Sequence, residues 1–195
     1  VGQTKLPGNR ERVISSQALQ FVDRSQLNSK YNIDRGTGVQ LHGKQKLGAV
    51  VVKEMEAISM GEGRNFTADN IGGYEFTGRL ELLPFGEFSS KGDYFGSDLK
   101  REKTPKLAVG FTYDQNNATT REAGWSGDYL AEARNQNTIF IDAIFKYKGI
   151  SSMFEYANKT TDESALLADG TSFQTGTGMD VSLGYLFKNN FEIAG

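Results

Sequence analysis

The chain has 195 residues with 22 basic and 24 acidic side chains, so its formal charge of -2 gives no electrostatic reason to expect a nucleic acid as partner. It contains no cysteine, which excludes a disulfide framework and a thiolate metal site, and a single histidine, His42, which disfavours a zinc site and histidine-based hydrolysis. The 23 glycines against 3 prolines, together with 13 Phe and 8 Tyr, indicate an all-β protein.

Strands are predicted where apolar and polar residues alternate. In chain order they are 1–6, 47–56 (ambiguous), 74–83, 106–114, 138–148, 150–157, 179–188 and 191–195, and counting from the turns between segments gives about ten strands. The clearest, 106–114, places Leu, Val, Phe and Tyr on one face and Lys, Ala, Gly, Thr and Asp on the other. In 138–148 the alternation is broken by Phe140 and Ile144.

The connections between these strands alternate in length. Short turn signals are Pro7-Gly8-Asn9, Gln45-Lys46, Lys148-Gly149 and Asn189-Asn190, and the long polar stretches are 16–35, 58–70, 115–136 and 160–176. Only 84–104 is long where the alternation predicts a short turn. Short turns at one rim and long loops at the other are typical of an antiparallel up-and-down transmembrane β-barrel, whose strands are apolar outside and polar inside.

Several segments also resemble the phosphate-selective porin O and P family, in the form typical of Bacteroidetes-type bacteria. They are Gly2–Pro7, Ser15-Ser16, Leu19–Ser25 with its Asp23-Arg24-Ser25 motif, Arg35–Leu41, 73–81 and 184–192. The resemblance implies a homotrimer of sixteen-stranded barrels among the lipids of a Gram-negative outer membrane, with loops folded into the lumen and a basic path for phosphate or related anions. Residues 1–195 would then be a single barrel domain, truncated at both ends, that supplies a little over half of the strands.

Basic residues are the candidates for lining an ion path or constriction, because guanidinium groups bind phosphate and carboxylate bidentately. The candidates are Arg10, Arg12, Arg24, Lys30, Arg35, Arg79 and Lys146, with Arg10 and Arg12 on one face of a predicted strand. The alternative is that Glu11, Asp23 and Asp34 pair with the first five as structural ion pairs. The predicted lumen face carries both signs of charge, whereas an anion filter is expected to show rings of Arg or Lys, so the solute preference stays open.

The sequence gives weaker support to functions other than a porin. Glu54 and Glu56 are predicted to be solvated or to face the lumen and not to be an acid–base pair. We therefore expect a porin for passive diffusion of small polar or anionic solutes. We expect it to have no enzymatic activity and to bind no cofactor and no metal. The alternatives are a barrel that serves as a structural or interaction subunit of an outer-membrane complex, and a soluble β-sandwich in which Trp125, Tyr129 or Phe173 binds a ligand.

Overall fold

A computed structural model describes residues 1–64 and 73–195. Within these ranges the chain forms nine strands, two short α-helices and two 3-10 helices. The strands are β1 (Gly2–Lys5), β2 (Arg35–Leu47), β3 (Val50–Ser59), β4 (Glu75–Leu83), β5 (Lys106–Arg121), β6 (Tyr129–Tyr147), β7 (Ile150–Thr161), β8 (Gly176–Leu186) and β9 (Glu192–Ala194). The helices are α1 (Arg10–Val13), α2 (Gln26–Tyr31) and the 3-10 helices Ser16–Ala18 and Ser89–Tyr94. In the described ranges, no helix is both long and apolar enough to span a membrane.

The strands form one antiparallel sheet in which each pairs with its neighbours in sequence. The predicted all-β, up-and-down order is therefore confirmed, with nine strands in the described ranges instead of about ten. The two end strands, β1 and β9, each pair with one neighbour only, so these strands do not close into a barrel. A two-layer sandwich is wrong for this part of the chain, because its strands belong to a single sheet.

The turns at Lys148-Gly149 and Asn189-Asn190 connect adjacent strands as predicted. The turn between β2 and β3 lies at Gly48 and Ala49, beyond the predicted Gln45-Lys46, because Gly48 adopts the left-handed φ of 65° that a tight reversal requires. The stretch 115–136 is mostly strand and not loop: only 122–128 separates β5 from β6. Residues 65–72 of the predicted loop 58–70 lie outside the described residues.

The Pro7-Gly8-Asn9 turn does not close a hairpin, so that prediction is wrong. After β1 the chain turns at Gly8, which packs so closely on Ile33 that an added Cβ would lie 3.2 Å from its side chain. It then enters α1, so Arg10 and Arg12 lie on a short helix and not on a strand. The whole of 6–34, which we call the first covering segment, separates β1 from β2.

The two faces of the sheet differ in exposure. On the face that we call the exposed face, large apolar side chains are open to solvent over β4 to β8. They include Phe76, Leu80, Leu82, Val109, Phe111, Tyr113, Ile141, Ile150, Val181, Leu183 and Tyr185. On the opposite, covered face the residues between them are buried, and these are mostly polar or charged. The predicted separation of apolar and polar faces is confirmed, with the apolar face exposed and the polar face covered.

Two segments bury the covered face: the first covering segment, and 84–104, which we call the second covering segment. Two apolar clusters hold them. One contains Leu6, Leu27, Tyr31, Ile33, Ala57, Phe140 and Ala157, and the other contains Val51, Leu83, Phe88, Ala108 and Ile144. Phe140 and Ile144, which break the alternation of β6, are thus the residues on which the two segments pack. The unusual length of 84–104 is explained by its folding back over the sheet.

Candidate functional site

Four charged side chains form a closed network in the middle of the covered face, and all four are fully buried. Arg79 of β4 reaches Asp142 of β6 at 2.6 Å and Glu81 at 2.9 Å. Arg10 of the first covering segment reaches Glu81 at 2.9 Å and Asp142 at 3.1 Å. Two arginines and two carboxylates leave no net charge, so this network favours structural attachment over attraction of a mobile ion.

Glu155 of β7 provides a second attachment for the first covering segment. Its carboxylate accepts a hydrogen bond from the Asn9 side-chain amide at 3.1 Å and one from the Glu11 backbone N–H at 2.7 Å. Arg79 also donates to the Gly8 carbonyl oxygen at 2.7 Å. Residues 8–11 are therefore fixed to three different strands of the covered face.

Lys146 of β6 holds the second covering segment. Its ammonium group donates to the carbonyl oxygens of Gly92, Phe95 and Ser97 at 2.7, 2.8 and 2.7 Å. Three carbonyl acceptors match the three donors of a lysine ammonium, so this buried cation is fully hydrogen-bonded.

Tyr94 joins the second covering segment to the ion network, because its hydroxyl donates to Glu81 at 3.0 Å. Burial, followed by the nearby Glu81 carboxylate, raises the pKa of Tyr94 above its ordinary value of 10.0, so the hydroxyl keeps the proton that it donates. Lys53 of β3 forms an ion pair with Asp93 and lies over the Tyr94 ring, 4.4 Å from its centroid. The two covering segments thus bind the same carboxylate, because Arg10 of the first segment and Tyr94 of the second both contact Glu81.

A group of basic side chains lies at the edge of the first covering segment, and we call it the basic cluster. Its members are Lys5, Arg12, Arg24, Arg35 and Arg64, which lie near the carboxylate of Asp34, with Arg24 also near that of Glu11. Arg12 forms an ion pair with Asp34, and Arg64 lies 2.9 Å from its other oxygen. Burial lowers the pKa of the Arg12 guanidinium; Asp34 opposes this, and the neighbouring arginines add to it. The cluster keeps an excess of positive charge.

A cavity of about 240 Å³ lies beside the basic cluster, between β2, β3 and the two covering segments. Lys5, Gln40, His42 and Tyr94 contribute to its lining. His42 is exposed and contacts Gln40 at 3.2 Å. Lys5 is the member of the basic cluster that lines this cavity.

The Asp23-Arg24-Ser25 motif connects α1 to α2. Arg24 donates to the carbonyl oxygens of Glu11 and Ile14 at 3.2 and 3.1 Å. Ser25 caps α2 by accepting from the Asn28 N–H at 3.1 Å and donates its hydroxyl to the Glu11 carboxylate at 2.7 Å. Burial raises the pKa of Glu11, and the hydrogen bonds from Ser25 partly oppose that rise.

The structure separates the predicted ion-path residues into two sets. Arg12, Arg24 and Arg35 lie together in the basic cluster, and Lys30 is exposed in the last turn of α2. Arg10, Arg79 and Lys146 are buried and attach the covering segments to the sheet, a position that does not fit lining a path. The alternative of structural ion pairing holds for Arg12 with Asp34. Arg10 pairs instead with Glu81 and Asp142, far away in sequence.

Sequence reasoning missed Lys5 and Arg64 as members of the basic cluster. Lys5 lies at the end of the predicted strand 1–6, which is too short for its pattern to assign a face, and Arg64 lies in a loop. The basic composition of 5–35 was the only signal for Lys5, and it does not extend to Arg64. Among the residues that the structure describes, no group of His, Cys, Asp and Glu could hold a metal ion.

Comparison with known proteins yields no similarity to build on: no family model, no curated protein and no solved structure matches the chain. The functional assignment therefore depends on the faces of the sheet and on the charges of the covered face.

Proposed function

We propose that this chain forms part of the wall of a β-barrel porin in the outer membrane of a Gram-negative bacterium of the Bacteroidetes type. The observation that carries the proposal is the exposed face, which presents large apolar side chains on five consecutive strands, β4 to β8. In water such a continuous apolar surface is unfavourable, whereas the hydrocarbon core of a membrane matches it. The polar residues then face the inside of the barrel.

Strand lengths support this orientation. The paired strands β4 to β8 span 9 to 19 residues each, and about 9–11 tilted residues cross a bilayer core. The backbone groups of β4 to β7 pair with neighbours on both sides over most of their length, as hydrocarbon requires, whereas β8 pairs with β9 only at Gly184–Leu186. Closure into a barrel, with a homotrimer as the assembly, is part of the proposal.

The basic cluster is proposed to select small anions, phosphate among them, at the edge of the first covering segment. Arg35 is the best residue to test, because no hydrogen bond or ion pair of its side chain is found among the described residues. Its loss should therefore leave the covering segment attached. The excess of positive charge around Asp34, with Lys5 lining the cavity beside it, favours an anion there.

The test is ion conductance of the purified protein in planar bilayers under a salt gradient. We expect discrete conductance steps and a reversal potential on the anion-selective side, with Arg35→Gln moving the potential toward cations. The matched control, Lys188→Gln in the turn before β9, is expected to leave the potential unchanged. A protein that stays monomeric and soluble without detergent, or that gives no conductance, would contradict the proposal.

The filled covered face favours a second candidate, a barrel that does not conduct and serves as a structural subunit of an outer-membrane complex. Both covering segments lie on the charges that would otherwise line a lumen. Detergent-dependent, heat-modifiable protein that never conducts would support this candidate over the porin.

A further inference from the structure

The end of the second covering segment lies against the turn between β6 and β7. The Asp98 carboxylate accepts a hydrogen bond from the Gly149 N–H at 2.8 Å. The Glu102 carbonyl oxygen accepts one from the Lys148 N–H at 2.9 Å. Residues 98–103 are therefore fixed to this turn by both side-chain and backbone contacts.

The same residues also reach the turn between β8 and β9. The Arg101 guanidinium donates to the Asn190 side-chain oxygen at 2.9 Å and to the Phe187 carbonyl oxygen. Phe187 packs edge to face on Tyr185, with the ring centroids 4.7 Å apart, and both rings are exposed. Aromatic rings at the border of an apolar surface are typical of the level at which hydrocarbon gives way to headgroups.

Four basic side chains lie at these turns, and we call them the basic rim: Lys100, Arg101, Lys103 and Lys148. Lys148 turns toward the exposed face, because its ammonium group lies over the ring of Tyr147, an outward residue of β6, 4.9 Å from the centroid. The three lysines are exposed, and in the described part of the chain their side chains form no hydrogen bond or ion pair.

The carboxylates of the same segment point inward and leave the basic groups at the surface. Glu102 is 4% exposed, and its oxygens accept from the Ser89 N–H at 2.6 Å and from the Ser89 hydroxyl at 3.0 Å. Asp98 is 1% exposed and accepts from the Glu102 N–H at 3.0 Å. The mixed run Lys100-Arg101-Glu102-Lys103 therefore presents its basic groups and not its carboxylate to the surroundings.

The opposite end of β5 to β8 has the reverse charge. Exposed carboxylates there are Glu122, Asp128, Glu132, Asp162, Glu163 and Asp169. Between the two ends, no charged side chain occurs on β4 to β8 at the outward positions of 76–82, 107–115, 137–147, 150–158 and 177–185. On β3, Glu54 and Glu56 also point to the exposed face and not to the covered one. The turn end of β6 to β8 is thus the end that attracts an anion next to an apolar surface.

We propose that the basic rim binds the headgroups of anionic phospholipids, such as phosphatidylglycerol, in the leaflet at the turn end, an inference that rests on the proposed membrane-facing role of the exposed face. The phosphodiester of such a lipid adjoins its acyl chains, as the basic rim adjoins the aromatic and apolar side chains of the wall. Guanidinium and ammonium groups both donate to phosphate oxygens. An acidic protein would match the charge, but a lipid also places apolar groups opposite Tyr147, Tyr185 and Phe187.

The test compares how strongly spin-labelled phosphatidylglycerol and phosphatidylcholine associate with the protein in phosphatidylcholine vesicles, measured by electron paramagnetic resonance. The wild type is expected to prefer phosphatidylglycerol at low salt and to lose the preference at high salt, since salt screens exposed charges. Lys103→Gln/Lys148→Gln is expected to lose most of the preference at low salt. Arg101 is kept in this variant because it connects two turns, and heat-modifiable mobility shows that the variant is folded.

The matched control is Lys46→Gln/Lys91→Gln, which removes the same charge on the covered side of the sheet. Lys46 pairs with the buried Val51, and Lys91 lines a cavity together with Tyr94. This control should keep the wild-type preference. A wild type without preference, or a double variant at 103 and 148 that keeps it, overturns the lipid site. A preference that glycerol phosphate removes but chloride of equal ionic strength does not would also overturn it, in favour of a soluble phosphate ester.

A second measurement uses the wild type alone and does not depend on the folding of a variant. Phosphatidylglycerol with a photoreactive headgroup is irradiated in vesicles that contain the protein, and the adducts are mapped by mass spectrometry of peptides. Adducts are expected within 99–103 and 146–150. Equal labelling of 122–128 and 162–169 overturns the site, as does binding of polyglutamate by a protein that shows no lipid preference, which would indicate an acidic protein partner.

Conductance is recorded on the same vesicles so that the two proposals can fail separately. A conducting protein without the lipid preference contradicts the basic rim only. A protein with the lipid preference but without conductance contradicts the porin only. A protein that does not enter the vesicles contradicts both, because the exposed face would then not contact a membrane.

Discussion

Asp142 is the residue on which most of the buried charge depends, because one carboxylate receives both Arg10 and Arg79. Removing a single partner from a buried ion pair leaves an uncompensated charge, which destabilises more than the pair itself stabilises. A neutral amide at 142 would leave the two arginines with Glu81 alone. A substitution of Asp142 is therefore expected to destabilise the fold more than a substitution of an exposed charged residue.

Asp142→Asn is accordingly expected to lower the free energy of unfolding by about 3–5 kcal/mol, because two buried guanidinium groups lose their common anion. The measurement is the unfolding of the detergent-solubilised protein by urea, followed by heat-modifiable mobility. Asp169→Asn, at an exposed loop carboxylate, is the control and should leave the midpoint unchanged. Equal midpoints for the two variants would show that the network contributes nothing.

Glu11 introduces a pH dependence of local stability. Burial raises its pKa above the ordinary value of 4.5, so the folded segment holds more protons than the unfolded one as the pH rises from that value. The contribution of Glu11 to the stability of the first covering segment is then fully present below pH 4.5 and is lost as the pH rises through the folded pKa. Hydrogen exchange of 10–31, corrected for intrinsic rates, should show greater protection at low pH, and Glu11→Gln should abolish the difference. Protection that rises with pH would contradict this assignment.

At the scale of elements, the strands are largely predictable from sequence and the covering segments are not. Alternation in 74–83 and 106–114 assigns each side chain to a face, because a strand has a period of two. The first covering segment has no such period: α1 and α2 are short, and their positions are set by contacts with β4, β6 and β7. The covering segments do pack on Phe140 and Ile144, the two residues that interrupt the alternation of β6, since an apolar residue on a polar face needs an apolar partner.

The basic site residues, too, could be predicted from the sequence only in part. The composition of 5–35 was enough to predict a basic site near α1, and Arg12, Arg24 and Arg35 do lie together. Arg10 could not be separated from them in advance, because its partner Asp142 is 132 residues away and only the packing of α1 on β6 brings the two together.

Lys146 offers a test of the second covering segment as an element. Lys146→Met removes the ammonium donor from three carbonyl oxygens, so 84–104 is expected to detach and become sensitive to trypsin at its own basic residues, with a larger single-channel conductance. Lys106→Met is the matched control, because Lys106 pairs with Lys146 across the sheet but donates to one carbonyl oxygen of the segment only, that of Phe85 at its exposed start. If both variants resist trypsin as the wild type does, Lys146 is not the attachment.

At the scale of the whole molecule, the exposed face predicts where charge is tolerated. Ile141→Lys places an ammonium group in the middle of the apolar surface, and about 2–4 kcal/mol is the penalty for such a group at the bilayer midplane. We expect this variant to fold into lipid vesicles with a correspondingly lower stability. Ala168→Lys, in the exposed loop before β8, introduces the same lysine and should behave as the wild type. Equal stability of the two variants would show that the exposed face does not contact lipid.

The pairing of each strand with its sequence neighbour has a consequence for the order of assembly. Hairpins can be added one at a time, with little chain entropy lost at each step, since every new strand finds its edge already in place. Arg10, by contrast, has no complete set of partners until β6 has joined the sheet. Asn9 and Glu11 also need Glu155 of β7, so the first covering segment, although early in the sequence, completes its docking only after β7 has joined the sheet.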